Sequence, residues 1–165
     1  MQENNKEIKE CRLGVVRIRG DINVHPDIKK TFKLSRLYKK NTCVIFATKK
    51  EHLGMLDKIK DYATWGELND ETMHLLLTKR GRLAKKQPLT DQYMKEKLGI
   101  SIQEFVAQFM AFKKELSDVP GFKRFFKLCP PVGGFERGGI KKPYSLGGVL
   151  GYRKDNINEL IKRMI

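Results

Sequence analysis

Two periods alternate along the first third of the chain. Leu13-Gly14-Val15-Val16-Arg17-Ile18-Arg19 begins apolar and then alternates with arginine, a strand pattern that Gly20 and Asp21 end. His25-Pro26-Asp27 opens a helix, with proline in the first turn and a carboxylate near the positive end of the helix dipole. On it, Ile28, Thr31, Phe32, Ser35 and Tyr38 share one face, while Lys29, Lys33, Arg36 and Lys40 recur on another as a cationic stripe. Thr42 to Ala47 is apolar enough for a central or well-covered strand. Lys50 to Tyr62 reads as a second helix with Leu53, Met55, Leu56, Ile59 and Tyr62 inward, and Ala63-Thr64-Trp65-Gly66 as a short third strand. The result is a β-α-β-α-β core, helices layered on a small sheet.

Beyond it the pattern turns helical. Asn69-Asp70 caps a third helix that runs to Arg80. Arg80 to Pro88 places Arg80, Arg82, Lys85 and Lys86 around a glycine and a proline, the composition of an exposed basic loop. Thr90-Asp91 opens a short helix that Gly99 stops, and Ser101-Ile102-Gln103-Glu104 forms a capping box. The helix that follows carries an apolar stripe at Ile102, Phe105, Val106, Phe109, Met110 and Leu116. Six glycines between Gly133 and Gly148 predict sparse regular structure, and Asp155 to Met164 predicts a terminal helix. The expected fold class is therefore α+β, with a frayed start over residues 1–11, a core over 12–68 and a helical, glycine-rich basic extension over 69–165 packed on it.

Charge changes this picture most. The 165 residues hold 34 Lys and Arg against 19 Asp and Glu, a net charge of +15. Between Ile28 and Lys50 stand eight cations and no acid: Lys29, Lys30, Lys33, Arg36, Lys39, Lys40, Lys49 and Lys50. Solvated helix faces usually mix signs, and this one does not. Such a surface repels itself unless a polyanion covers it, and nucleic acid gains affinity by releasing counterions there. A second basic stretch, Gly121 to Lys154, has eight cations against Glu136 alone. No apolar run approaches the roughly 20 residues of a spanning helix, and the start has no apolar signal core, so neither membrane nor export is expected and the place is the cytoplasm. Cys11, Cys43 and Cys129 are odd in number and widely spaced, as reduced thiols would be.

Candidate chemistry is thin. The chain has no P-loop, and Gly20 lacks the companion glycines of a dinucleotide turn. His25, His52 and His74 are not grouped with cysteines at metal spacing, so they read as surface, capping or packing residues. The glycine-rich stretch reads either as a flexible surface loop or as a basic extension against RNA, where glycine admits phosphates to the backbone; its charge favours the second. Trp65 and Phe46 read as packed rather than stacked on bases, which favours recognition of folded RNA through backbone and shape.

Several phrases carry a resemblance. Leu13 to Gly20 followed by His25-Pro26-Asp27-Ile28 resembles the opening of the family of large-subunit ribosomal protein thirty, whose eukaryotic counterpart is protein seven. Leu53-Gly54-Met55-Leu56-Asp57-Lys58-Ile59 resembles that family's second helix, and Tyr62-Ala63-Thr64-Trp65-Gly66-Glu67 its third strand. Lys79-Arg80-Gly81, Pro131-Val132-Gly133-Gly134, Gly147-Gly148 and Asn156 to Met164 are similar to the extension of the longer, archaeal-type members. Val132 departs from the arginine usual between that proline and the glycine pair, leaving Arg137, Lys141 or Lys142 to compensate.

The resemblance implies a three-stranded antiparallel, ferredoxin-like sheet with the first strand central. It implies a structural, non-catalytic place in the large ribosomal subunit, with rRNA and neighbouring large-subunit proteins as partners and neither cofactor nor small-molecule substrate. Taken with charge, it assigns Arg17, Arg19, His25, Lys29, Lys33, Arg36, Lys49, Lys50, Gly54 and Lys58 to RNA in the core. Arg80, Arg82, Lys85, Lys86, Arg137, Lys141, Lys142 and Arg153 would anchor the extension. Gly54 serves either close approach of RNA to the backbone or tight helix–sheet packing. The alternatives are a free-standing RNA-processing or RNA-chaperone factor, and a small phosphate-handling enzyme of acylphosphatase type using Arg19, the Gly20 turn and Asn41.

Overall fold

The first strand, β1 (Arg12–Arg17), is buried along its whole length, as an apolar strand covered on both faces must be. β2 (Thr42–Ala47) and β3 (Ala63–Glu67) pair with it antiparallel on either side, setting Val15 opposite both Val44 and Trp65. This expected three-stranded core is widened by two strands of the extension. β4 (Phe126–Lys127) adds antiparallel to β2 and β5 (Gly151–Tyr152) parallel to β3, giving the order β4-β2-β1-β3-β5. At two residues each, neither carries a readable period. The computed structural model describes residues 10–84 and 87–165, so Lys85, Lys86 and the first nine residues of the expected frayed start lie outside the described residues.

The alternation of side chains sorts the sheet into two faces. Leu13, Val15, Val44 and Ala63 pack with Phe32, Leu56 and Ile59 from α1 (Pro26–Leu34) and from α2 (Lys50–Lys58) with its capping residue. Val16 and Cys43 face the other way, onto α3 (Asp70–Leu75), α5 (Ile102–Met110) and α6 (Asn156–Met164). Met73, Phe105, Phe109, Ile157, Leu160 and Ile161 fill that side, and α4 (Asp91–Leu98) adds Met94. The extension is thus the third layer of one α+β sandwich, and β1 sits in the middle of it. Gly66 lies where the chain entering α6 crosses β3: a Cβ there would stand 1.9 Å from the Lys154 carbonyl oxygen.

Local signals fixed most helix starts. Asn69, Thr90 and Ser101 accept from backbone N–H groups as caps, and Glu104 completes the capping box back to Ser101. The helix ends are shorter than the periodicity predicts. After α1, Arg36 adopts a left-handed φ of 58°, the Arg36 N–H bonds the Lys33 carbonyl and the Leu37 N–H bonds the Phe32 carbonyl at 2.9 Å. This is a Schellman closure, drawn tight because Leu37 and Phe32 are buried together. The stripe Lys29–Lys33–Arg36–Lys40 is therefore not one helical row; it breaks at the cap. In the same way Phe112, at φ 58°, ends α5 before Leu116, and α3 widens into a π-helical turn over Leu76–Arg80.

Candidate nucleic-acid interface

Three arginines are consumed by the fold. Arg17, 1% exposed, lies 3.9 Å from the centre of the Phe32 ring and donates to the carbonyls of Arg19, Leu37 and Tyr38 and, at 2.5 Å, to Asp21. Arg153, 2% exposed, donates to Thr64, the Val149 carbonyl and Glu136. Both were assigned to RNA from sequence. In the fold both guanidiniums are held by internal partners, which a phosphate would have to displace. Arg12, which sequence reading passed over, is the third: its guanidinium sits between the Phe109 and Phe112 rings and pairs with Glu115 at 3.0 Å. Its place at the even register of a strand covered on both faces was the available signal.

Glu136, the lone acid of the second basic stretch, has a specific task. Partial burial pushes its carboxyl up, but hydrogen bonds from Arg153 and from its own backbone N–H, with the charges of Arg153 and Arg163, outweigh this and hold it below the usual range. The glycine-rich segment folds back on itself around that pair. The Gly138 N–H bonds the Gly147 carbonyl, and a Cβ on Gly148 would lie 2.2 Å from the Lys142 carbonyl oxygen. The backbones are in contact there, which only glycine permits. Arg137, Lys141 and Lys142 are left exposed on its outside, and so is Val132.

The remaining assigned residues divide by exposure. Lys29, Lys33, Lys49, Lys50, Gly54 and Lys58 are exposed, and Lys50, Gly54 and Lys58 follow one another at four-residue spacing along α2. Space around Gly54 is open for at least 4 Å, so tight helix–sheet packing does not explain it. Lys49 caps α2 without a side-chain bond. His25 caps α1, accepting from the Asp27 N–H. Arg19 is half-buried against the Tyr62 ring and donates to the Asp61 carbonyl. Arg36 is half-buried beside Arg124 at the rim of a small cavity. His52 stacks on Phe46 at 4.8 Å, a packing histidine.

Two basic clefts emerge that sequence reading did not assemble. Lys29 and Lys33 line one of about 330 Å³, together with Phe32, Tyr38 and the paired Arg17 and Asp21. Arg80, Arg82, Lys123 and Lys127 line another of about 320 Å³ around Phe125. Arg80 also donates to Cys129 Sγ and to the Ile165 carbonyl. Tyr38 of the first cleft and Phe125 of the second stand edge to face, with ring centres 5.6 Å apart. Lys123, Lys127, Tyr38 and Phe125 were missed as site residues. The signal was present as aromatics set among cations, in Tyr38-Lys39-Lys40 and Lys123-Arg124-Phe125.

Among the described residues no three His, Cys, Asp or Glu side chains gather as a metal site, and no helix is long and apolar enough to cross a membrane. Burial pushes the Cys43 thiol up to about 12, so it is an inert core residue.

Comparison with known proteins agrees with this surface. The family model described as ribosomal protein L30p/L7e matches residues 13–63, from β1 to the first residue of β3. A large ribosomal subunit protein uL30 from Methanopyrus kandleri is 49% identical over 149 residues, spanning 90% of this chain and all of that one. Proteins of the same name from Hyperthermus butylicus and Nanoarchaeum equitans are 41% and 42% identical over 99% and 92% of this chain, and 94% and 97% of theirs. With both the core phrases and the whole extension matched, the chain belongs to the uL30 family of large-subunit ribosomal proteins, in its long archaeal form.

Proposed function

We propose that this protein is a non-catalytic structural constituent of the large ribosomal subunit that holds folded rRNA by phosphate contacts. The observation that carries the reading is the run from Lys29 to Lys50: seven of its eight cations are exposed and Arg36 is half-buried. None of the eight pairs with a carboxylate among the described residues. The start of α2 adds to it, since Lys49 and Lys50 flank N–H groups that no side chain caps, and an anion is favoured at such an end. Lys58, Arg82, Arg137, Lys141 and Lys142 extend the surface, with Arg19, His25, Arg36 and Arg80 at its margins. Exposed Gly54 between Lys50 and Lys58 leaves room for the sugar–phosphate chain to lie against the helix.

Neighbouring large-subunit proteins are the second class of partner, suited to the surfaces without free cations. A free-standing RNA factor would share the cations, and sedimentation separates the two. In a gradient of cell extract at moderate salt, the protein is expected to migrate with the large subunit and to stay there after washing. A pool found wholly at the top of the gradient would overturn the reading.

A further inference from the structure

We propose that the ring of Tyr38 is a stacking platform for an unpaired base of the bound rRNA, set between two phosphate-holding clefts. The inference rests on the rRNA-binding reading and adds base contact to it. Two aromatic rings of the described residues are about half exposed, Tyr38 at 50% and Tyr152 at 47%. They stand in opposite electrostatic settings. The Tyr152 hydroxyl donates to the Glu67 carboxylate, whose negative charge disfavours a phosphate there. Tyr38 stands instead with Lys29 and Lys33 in a cleft whose one carboxylate, Asp21, is paired with Arg17, and Phe125 beside it lines the cleft of Arg82, Lys123 and Lys127.

The ring is also prepared for the task. Phe125 meets it edge to face at 82°, which holds its orientation, and the residue stays 50% exposed. Its backbone is tied down by Arg17, which donates to the Leu37 and Tyr38 carbonyls and is itself pinned on Phe32 and Asp21. Arg17 is thus a positioning residue of the platform. The exposed half of Tyr38 lies beside ammonium groups of Lys29 and Lys33 that pair with no carboxylate among the described residues. A nucleotide meets both needs, because its base stacks on the ring while phosphates on either side reach the lysines of one cleft and the arginine and lysines of the other.

Stacking and phosphate contact leave different signatures. Phosphate contacts set the slope of log affinity against log salt, whereas stacking shifts affinity equally at every salt concentration. The test is a salt series of binding to purified cognate large-subunit rRNA with wild type, Tyr38→Ala, Tyr38→Leu, Tyr38→Phe and the double variant Lys29→Ala/Lys33→Ala. Circular dichroism is run beside it. Tyr38→Ala and Tyr38→Leu are expected to bind about ten- to a hundredfold more weakly at every salt concentration with the slope kept, and Tyr38→Phe to bind as wild type. Tyr38→Leu retains apolar packing on Phe125, so its loss reports the ring and not the fold. Wild-type affinity in Tyr38→Leu would overturn the platform and leave the phosphate reading standing. An unchanged slope in the lysine variant would instead overturn the phosphate reading.

Discussion

The acid-free run from Lys29 to Lys50 and the glycine-rich stretch from Gly121 to Lys154 carry eight cations each, yet the structure uses them differently. In the first, seven of the eight cations are exposed, on a helix, the loop after its cap and the start of the next helix, and none pairs with a carboxylate among the described residues. In the second, one acid suffices to pull Arg153 inside and to draw Arg163 to the same carboxylate, closing a loop around β5. Charge counts identify the kind of partner. Burial decides which charges reach it.

The largest expected contrast comes from Arg153. Replacing it with alanine leaves Thr64 and the Val149 carbonyl without their donor and Glu136 with only Arg163 at 3.7 Å, a loss of about 3–5 kcal/mol typical of a broken buried pair. Thermal unfolding should show a large drop, while the salt slope for rRNA below the melting range stays that of wild type. A lowered slope would mean that Arg153 reaches phosphate after all.

Acid sharpens the same point. The Glu136 carboxyl titrates lower in the folded chain than its usual 4.5, so the unfolded chain binds more protons in that window. Stability from this group is complete above pH 4.5 and is lost as pH falls through the folded value. Exposed Glu71, lowered by the hydrogen bond and charge of Lys162, acts in the same sense. Chemical denaturation between pH 3 and 6 should therefore slope less in Glu136→Gln than in wild type, and equal slopes would remove Glu136 from the lock.

Two changes on the exposed side should move stability little. Gly54→Ala meets no atom within 4 Å and gains roughly 0.5–1 kcal/mol of helix stability, yet should weaken rRNA binding if a sugar–phosphate chain lies against that face. Unchanged affinity would show that the glycine serves no contact. Lys29→Ala/Lys33→Ala should stay within about 0.5 kcal/mol of wild type in denaturant melts, as surface changes do.

Much of this fold was legible. β1 and β2 were legible as apolar runs and β3 as a short strand after the second helix, and the caps at Asn69, Thr90 and Ser101 are local chemistry. What escaped depended on distant pairing. β4 and β5 exist only because β2 and β3 offer them edges, and α1 stops at Leu34 because Leu37 is buried on Phe32, which no period shows. The site followed suit. Lysines on helix surfaces were readable as free, whereas Arg12, Arg17 and Arg153 were claimed by partners as far apart in sequence as Glu115, Leu37 and Glu136. The meeting of Tyr38 with Phe125 is of the same long-range kind.

The most direct measurement is the salt dependence of binding to cognate large-subunit rRNA, compared between wild type and a variant with Lys29, Lys33, Lys49 and Lys50 all replaced by alanine. If these exposed cations hold phosphates, log affinity of wild type falls linearly with log salt, and the variant's slope is shallower by about one for each contact removed. A variant whose slope equals that of wild type would contradict the claim that this acid-free surface is where the protein meets RNA.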